Sequence, residues 1–134
     1  MNATVSLNTA IYAAVLGLLG AALTVNVILS RVRSGINAGD GGVPALAQAI
    51  RAHANFVEQA PIALIVLGLA EASGARMLVV NVLGVALIAA RLASAYALNR
   101  TLAQSPLRQF GGGVSVLILA ATSVALMLAL GGVR

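Results

Sequence analysis

Residues 10–29 read AIYAAVLGLLGAALTVNVIL, a stretch of twenty residues without a charged side chain. An α-helix rises about 1.5 Å per residue, so a stretch of this length crosses the roughly 30 Å hydrocarbon core of a bilayer. It is too long for the apolar region of a cleaved signal peptide, and no basic segment precedes it. The stretch therefore predicts a first membrane-spanning helix, over residues 8–31.

The composition of the whole chain also predicts a membrane protein. Of its 134 residues, 60% are hydrophobic and 8% are charged, whereas a soluble domain carries about 25% charged residues. All eight cationic residues are Arg, and the net charge is +5. Aromatic side chains for base stacking are scarce, so this positive charge does not indicate nucleic-acid binding. With no Cys, one His and three acids, no metal site is expected.

Three further apolar segments follow, separated by short breaks. The loop SGINAGDGGVP at 34–44 contains four glycines, which cannot easily continue a helix. Ser105 and Pro106 are typical of an N-cap and a first helical residue. Short connections favour an up-down-up-down bundle, so we expect one all-α, four-helix integral membrane domain over residues 1–134. The remaining spans are predicted over 44–72, 76–99 and 106–131.

The arginines are distributed unevenly between the two sides of this predicted bundle. Five lie in or beside the first and third loops: Arg31, Arg33, Arg51, Arg100 and Arg108. The other side holds Arg76 and Arg134. Because cytoplasmic loops are enriched in basic residues, both termini are predicted on the non-cytoplasmic side. Within the spans, Asn26 and Asn81 are expected to form hydrogen bonds between helices.

Three polar side chains share one face of the second predicted helix. At about 100° per residue, Asn55 lies near +40° and Glu58 near −20° relative to Arg51. Ionisable residues inside a span face a partner or a wet cavity. Two interpretations follow: a structural cluster in which Arg51 and Glu58 satisfy each other, or a ligand or ion site.

Several arginines are expected to gather around this stripe, at one level of the bilayer: Arg31, Arg51, Arg91 and Arg108. Together with the single acid Glu58, these arginines are predicted to line a cationic pocket that contains one carboxylate. Such a pocket suits a small anion that also carries an amine. The start of the fourth helix adds a positive dipole, which favours a bound anion or thiolate. Arg31 and Arg100 are also typical of end residues whose charge reaches the interface.

Residues 51–61, RAHANFVEQAP, resemble the second-helix signature of the MAPEG family, the membrane-associated proteins in eicosanoid and glutathione metabolism. The signature is filled by Arg51, Asn55, Glu58 and Pro61. The sequence GDGG at 39–42 resembles the corresponding loop of small bacterial members. The resemblance implies a homotrimer in a bacterial inner membrane, with glutathione bound between subunits near the cytoplasmic face.

By this resemblance, the chain is expected to be a glutathione-dependent transferase or peroxidase acting on a small lipophilic substrate among the membrane lipids. A cation beside the sulfur lowers the pKa of a thiol and so favours the reactive thiolate. Arg108 is the candidate for this catalytic role, with Arg100 as the alternative. For Arg31, the neighbouring Arg33 is an alternative. The implied glutathione-binding residues are Arg31, Arg51, Asn55, Glu58 and Arg91.

The chain departs from the family pattern at three positions that the resemblance associates with catalysis. Ser94 stands where small bacterial relatives carry His, Leu98 where eicosanoid-forming members carry Tyr, and Gln59 where a Tyr often follows the Glu. These departures keep open a second hypothesis, a non-catalytic member that binds a lipid or another protein. A third hypothesis is a small proton-coupled exporter that uses Glu58.

Overall fold

The computed structural model describes residues 7–103 and 106–132. Its helices are α1 (Leu7–Ser34), α2 (Pro44–Ala72), α3 (Met77–Arg100) and α4 (Pro106–Leu130). All four are long and apolar enough to cross a membrane, and the described ranges contain no strand. The prediction of an all-α bundle of four apolar helices is confirmed. The predicted N-cap Ser105 and the C-terminal Arg134 lie outside the described residues.

Glycines end the first two helices. Gly35 adopts the left-handed conformation, with φ 69°, and its N–H donates to the Arg31 carbonyl at 2.9 Å. Gly74, with φ 87°, turns the chain between α2 and α3 and donates its N–H to the Glu71 carbonyl at 3.0 Å. Only glycine takes this conformation without strain, so the loop signals in the sequence fix where these helices stop.

Helices α2 and α3 form the centre of the bundle. Each of them packs against all three other helices, whereas the described residues of α1 and α4 make no contact with each other. Five alanines on α2 are buried and allow its neighbours to approach closely: Ala49, Ala52, Ala60, Ala63 and Ala70. The core is built from Leu16, Leu23, Ala52, Phe56, Ala60, Ala63, Leu87, Ala90, Ala95, Leu98 and Ile118.

Polar side chains join the helices at several levels. Asn26 donates from Nδ2 to Asn99 Oδ1 at 2.9 Å, which ties α1 to α3. The Tyr12 hydroxyl donates to Asn81 Oδ1 at 2.8 Å and joins the same two helices. The prediction that both asparagines bond between helices is confirmed. The small side chains of Ala13, Gly17 and Ala21, by contrast, lie on the exposed face of α1.

The bundle has two ends of different chemistry. At one end, Asn8 near the start of α1 bonds both to Glu71 near the end of α2 and to Met77 at the start of α3. We call it the Glu71 end. The opposite end contains the loop between α1 and α2 and the connection between α3 and α4. It also contains Arg51, and we call it the Arg51 end.

Candidate functional site

An ion pair lies on the outer face of α2. Arg51 Nη1 donates to Glu58 Oε1 at 3.2 Å, and the two side chains are 46% and 51% exposed. The two residues are seven apart, about two helical turns, which places them on one face. Pro61, one turn further on, supplies no N–H to the Val57 carbonyl, so an acceptor is released beside Glu58.

Asn55, the third member of the stripe, turns toward the interior. Its Oδ1 accepts a hydrogen bond from Arg91 Nη1 at 3.1 Å, and its carbonyl oxygen lies 3.3 Å from the same nitrogen. Asn55 itself remains partly exposed. It therefore connects the outward-facing ion pair of α2 with a cation in the core.

Arg91 is the largest fully buried side chain of the described residues, with 1% exposure. Its Nη2 donates to the Gly111 carbonyl at 3.0 Å and to the hydroxyls of Ser94 and Ser115. Its Nε has no partner in the described part of the chain. Every acceptor is neutral, so the guanidinium links α2, α3 and α4 without a carboxylate to balance its charge.

Close contact between α3 and α4 makes this network possible. A Cβ at position 111 would collide with the Ser94 hydroxyl and lie 3.1 Å from its backbone nitrogen. A glycine is therefore required there, and it brings its carbonyl within reach of Arg91. The Ser115 hydroxyl also donates to the Gly111 carbonyl at 2.7 Å, which fixes the orientation of both groups.

Two cavities adjoin Arg51. The smaller has a volume of about 100 Å³ and is lined by Arg51, Asn55, Ser94, Leu98 and Gly112. The larger, of about 380 Å³, lies toward the loops and is lined by Asp40, Ala47, Ile50, Arg51, Ala54 and Leu102. Arg51 separates an inner polar cleft from an outer depression, so a ligand in either would meet its guanidinium.

The remaining predicted residues are placed differently. Arg31 donates from Nη1 to the carbonyls of Gly39 at 2.9 Å and Ile36 at 3.3 Å, so it holds the loop between α1 and α2. Arg108 lies in the first turn of α4, but its side chain is outside the described part of the structure. Arg100 is exposed and lies over the Tyr96 ring, 5.1 Å from its centroid, and Arg33 is exposed.

The roles of two polar residues, Ser115 and Glu71, were not predicted. Ser115 follows the start of α4 by several residues, and its spacing from Gly111 is the only sequence signal of its role. Glu71 was noted only as one of three acids. Its carboxylate accepts from the backbone N–H and side chains of Asn8 and Thr9, at distances of 2.5 to 3.3 Å. An acid facing the start of another helix is typical of a helix-capping group.

The charges at the Arg51 end are complementary to those of a small zwitterion. Arg51 offers a guanidinium suited to a carboxylate, and Glu58 offers a carboxylate suited to an ammonium group. Half of each side chain is uncovered, so both can exchange their mutual bond for bonds to a ligand. Arg91 is buried and cannot exchange its bonds for bonds to a ligand. Its contribution to the exposed face of α2 is the hydrogen bond that orients Asn55.

Comparison with known proteins covers this whole region. The sequence model described as MAPEG family matches residues 9–128, which include every candidate residue from Arg31 to Arg108. The inner membrane protein YecN of Escherichia coli (strain K12) is 35% identical over 94 residues, 70% of this chain and 72% of YecN. YecN of Escherichia coli O6:H1 matches with the same identity and coverage.

Proposed function

The chain belongs to the MAPEG family, and on that premise we propose that it is a glutathione-dependent membrane transferase or peroxidase. Its substrates would be small lipophilic electrophiles or lipid hydroperoxides. The observation that carries the proposal is the half-exposed pair of Arg51 and Glu58 on a membrane-spanning helix. Lipid is an unfavourable neighbour for such a pair, so a polar ligand or a second subunit must cover it.

The charges on this face match those of glutathione, which carries two carboxylates and one ammonium group. In the proposal, Arg51 binds a carboxylate and Glu58 binds the ammonium group. Asn55 adds a polar contact and is held by Arg91 from behind. Arg31 already donates to the loop through Nη1, and since a guanidinium has five N–H donors, it can also approach the ligand from the loop side.

Bound glutathione would supply a thiol, whose thiolate would bond to the electrophilic carbon as that carbon's leaving group departs with its bonding electrons. With a hydroperoxide, the thiolate would bond to one peroxide oxygen as the O–O bond breaks and the alcohol leaves, and a second glutathione would then reduce the sulfenic acid to the disulfide and water. We assign to Arg108 the role of favouring the thiolate, because a cation and the positive end of a helix dipole coincide in the first turn of α4. Arg100 is the alternative. The bilayer concentrates lipophilic substrates beside the site.

Assembly and orientation form part of the same proposal. We propose a homotrimer of up-down-up-down subunits in the inner membrane, with both termini on the non-cytoplasmic side. The exposed stripe of Ala13, Gly17 and Ala21 on α1 supports close packing against a second copy. Such packing would shield the Arg51–Glu58 pair from lipid and complete the ligand site between subunits.

A second candidate function is binding without catalysis. The specific observation is that the inner cleft is lined by Ser94 and Leu98, where relatives carry His or Tyr. A Leu side chain cannot donate a proton or a hydrogen bond to a reacting group. If these substitutions abolish catalysis, the same pocket would hold a lipid or another ligand without transforming it.

The first test is calorimetric titration of the detergent-purified protein with glutathione. We expect binding that weakens by at least about tenfold in Arg51→Ala and in Glu58→Ala, because each loses a charge-assisted bond. Arg76→Ala, which removes an exposed cation at the opposite end of the bundle, should bind glutathione as the unmodified protein does. No binding at millimolar glutathione in a folded protein would favour the lipid-binding or exporter hypotheses.

The second test separates the two candidates. The purified protein is incubated with glutathione and a generic lipophilic electrophile, and conjugate formation is followed. A transferase forms conjugate at a rate that Arg108→Ala strongly reduces while glutathione affinity changes little. Binding of glutathione without any conjugate or peroxide reduction would establish the non-catalytic function instead.

A further inference from the structure

A third concave surface lies at the Glu71 end, away from the polar stripe. It has a volume of about 550 Å³, within the range of roughly 300–1,000 Å³ that ligand sites occupy. We call it the α3–α4 groove, and it is lined by Ala75, Arg76, Val79, Ala121, Val124, Ala125, Leu128 and Ala129.

The wall on α4 follows one helix face. Ala121, Ala125 and Ala129 recur every four residues, and their short side chains leave the groove open between the larger Val124 and Leu128. From position 129 to position 121 the groove extends along the axis by about 12 Å, at 1.5 Å per residue. It therefore runs from the end of the bundle toward the middle of the membrane.

Arg76 gives the groove one polar end. It is exposed and directly precedes Met77, the first residue of α3, so it lies where the membrane-spanning segment ends. No acidic side chain lines the groove, and the first turn of α3 contains no acid. An anionic lipid complements both features of the groove. Its phosphate matches a cation at interfacial depth, and its acyl chain matches the apolar channel beneath.

The three acids of the chain lie away from Arg76 or already accept hydrogen bonds. Asp40 lies in the loop at the Arg51 end, where it accepts the Gly42 N–H. Glu58 is paired with Arg51, and Glu71 accepts hydrogen bonds from the start of α1. Since Asp40 and Glu58 lie away from the Glu71 end and Glu71 already accepts four hydrogen bonds, a second copy in the same orientation matches Arg76 less well than a phosphate does.

We propose that the α3–α4 groove binds one anionic phospholipid, with its phosphate on Arg76 and an acyl chain along the alanines of α4. A guanidinium carries five N–H donors, so it can bind phosphate oxygens alongside another acceptor. The site is separate from the glutathione site, and its occupancy does not depend on the proposed catalytic activity.

The test measures lipid retention by native mass spectrometry of the detergent-purified protein. Phosphatidylglycerol and phosphatidylcholine with identical acyl chains are the probes. The protein should retain phosphatidylglycerol preferentially, and Arg76→Gln should reduce that preference by about fivefold, the effect of one basic residue at a membrane surface. Arg33→Gln removes an exposed charge at the other end and should leave the preference unchanged. Equal loss in both variants would overturn the proposal.

Two further variants test the groove itself. Ala125→Phe fills the channel and should reduce retention of both lipids; if this variant does not fold, the comparison of Arg76→Gln with Arg33→Gln decides. Because the natural chain has no Cys, Val124→Cys provides a single thiol in the groove. Efficient disulfide-linked dimers through that thiol in membranes would show a second copy there and overturn the lipid assignment.

Discussion

The bundle contains two carboxylates in membrane-spanning helices, and their surroundings differ. Glu71 is partly buried and accepts hydrogen bonds from the backbone and side chains of Asn8 and Thr9. Glu58 is half-exposed and bonds to Arg51 alone among the described residues. Both lie on α2, 13 residues apart along the same helix. They therefore differ both in their partners and in position, with Glu58 at the middle of the helix and Glu71 at its end, about 20 Å away.

The comparison separates an acid whose hydrogen bonds are made within the chain from one that is open to a further partner. Glu71 is satisfied within its own protomer, since the first N–H groups of α1 have no helical partners and a carboxylate near them is stabilising. Glu58 and Arg51 satisfy each other while leaving half of their surface uncovered. An ion pair that is stable but incompletely covered is the kind that a ligand or a second subunit can complete.

The largest expected effect on stability comes from Arg91, the buried cation that holds Asn55. Arg91→Ala removes bonds to three helices and leaves buried acceptors unpaired, so we expect a loss of roughly 3 kcal/mol in the free energy of unfolding. Unfolding in mixed micelles with a denaturing detergent measures it. Ser115→Ala, which removes one of these bonds, should cost about 1 kcal/mol. Lost glutathione affinity at unchanged stability would instead make Arg91 a direct ligand.

The next effect concerns the structural acid. Glu71→Ala leaves the start of α1 without its capping carboxylate, and a loss of about 2 kcal/mol in stability is expected. Glutathione affinity should stay the same, because the proposed site lies at the other end of the bundle. A protein of unchanged stability but impaired binding would reverse the roles assigned to the two acids.

Glu58→Gln and Glu71→Gln form a matched pair that keeps side-chain size. We expect Glu58→Gln to weaken glutathione binding by about tenfold, equivalent to 1.4 kcal/mol, through loss of the charge that holds the ammonium group. Its stability should change by less than about 1 kcal/mol, because an exposed ion pair contributes little. Glu71→Gln should show the opposite pattern. If both variants changed glutathione affinity and stability to the same extent, the distinction between the roles of Glu58 and Glu71 would be wrong.

The smallest effect is expected at the loop. Arg31→Ala frees the carbonyls of Ile36 and Gly39, so limited proteolysis between α1 and α2 should become faster. Glutathione affinity should fall by only a few-fold, an effect of less than about 1.4 kcal/mol, since the released loop then positions the other residues around the proposed site less well. A loss as large as that of Glu58→Gln would show that Arg31 binds the ligand directly.

Local rules predicted much of the fold. Uncharged runs of about twenty residues locate the helices because the bilayer sets their length. Glycine clusters locate their ends, although α1 runs to Ser34, past the predicted 31. The pairing of Arg51 with Glu58 also follows from helical periodicity, since both residues belong to one helix.

Contacts between helices were less predictable. Arg91 reaches Ser115, 24 residues away, only because Gly111 lets α3 and α4 approach closely, and a single sequence does not specify that register. Arg31 holds the loop because the loop folds back over the end of α1. The partners of Glu71 depend in the same way on how α1 and α2 meet. The exposed pair of Arg51 and Glu58 could thus be predicted from the sequence. The contacts of Arg91 between helices, which orient Asn55, could not.

The position of Arg91 also bears on how the chain enters the membrane during translation. Placing a guanidinium in the middle of an inserting helix costs about 2.5–3.5 kcal/mol on the scale measured with the translocation machinery. Its acceptors belong to α2, synthesised before it, and to α4, synthesised after it. Helix α3 therefore reaches its final environment only once α4 has emerged from the ribosome. Biogenesis should accordingly proceed with α2, α3 and α4 settling as one unit, while α1, whose described residues give Arg91 no bond, associates independently.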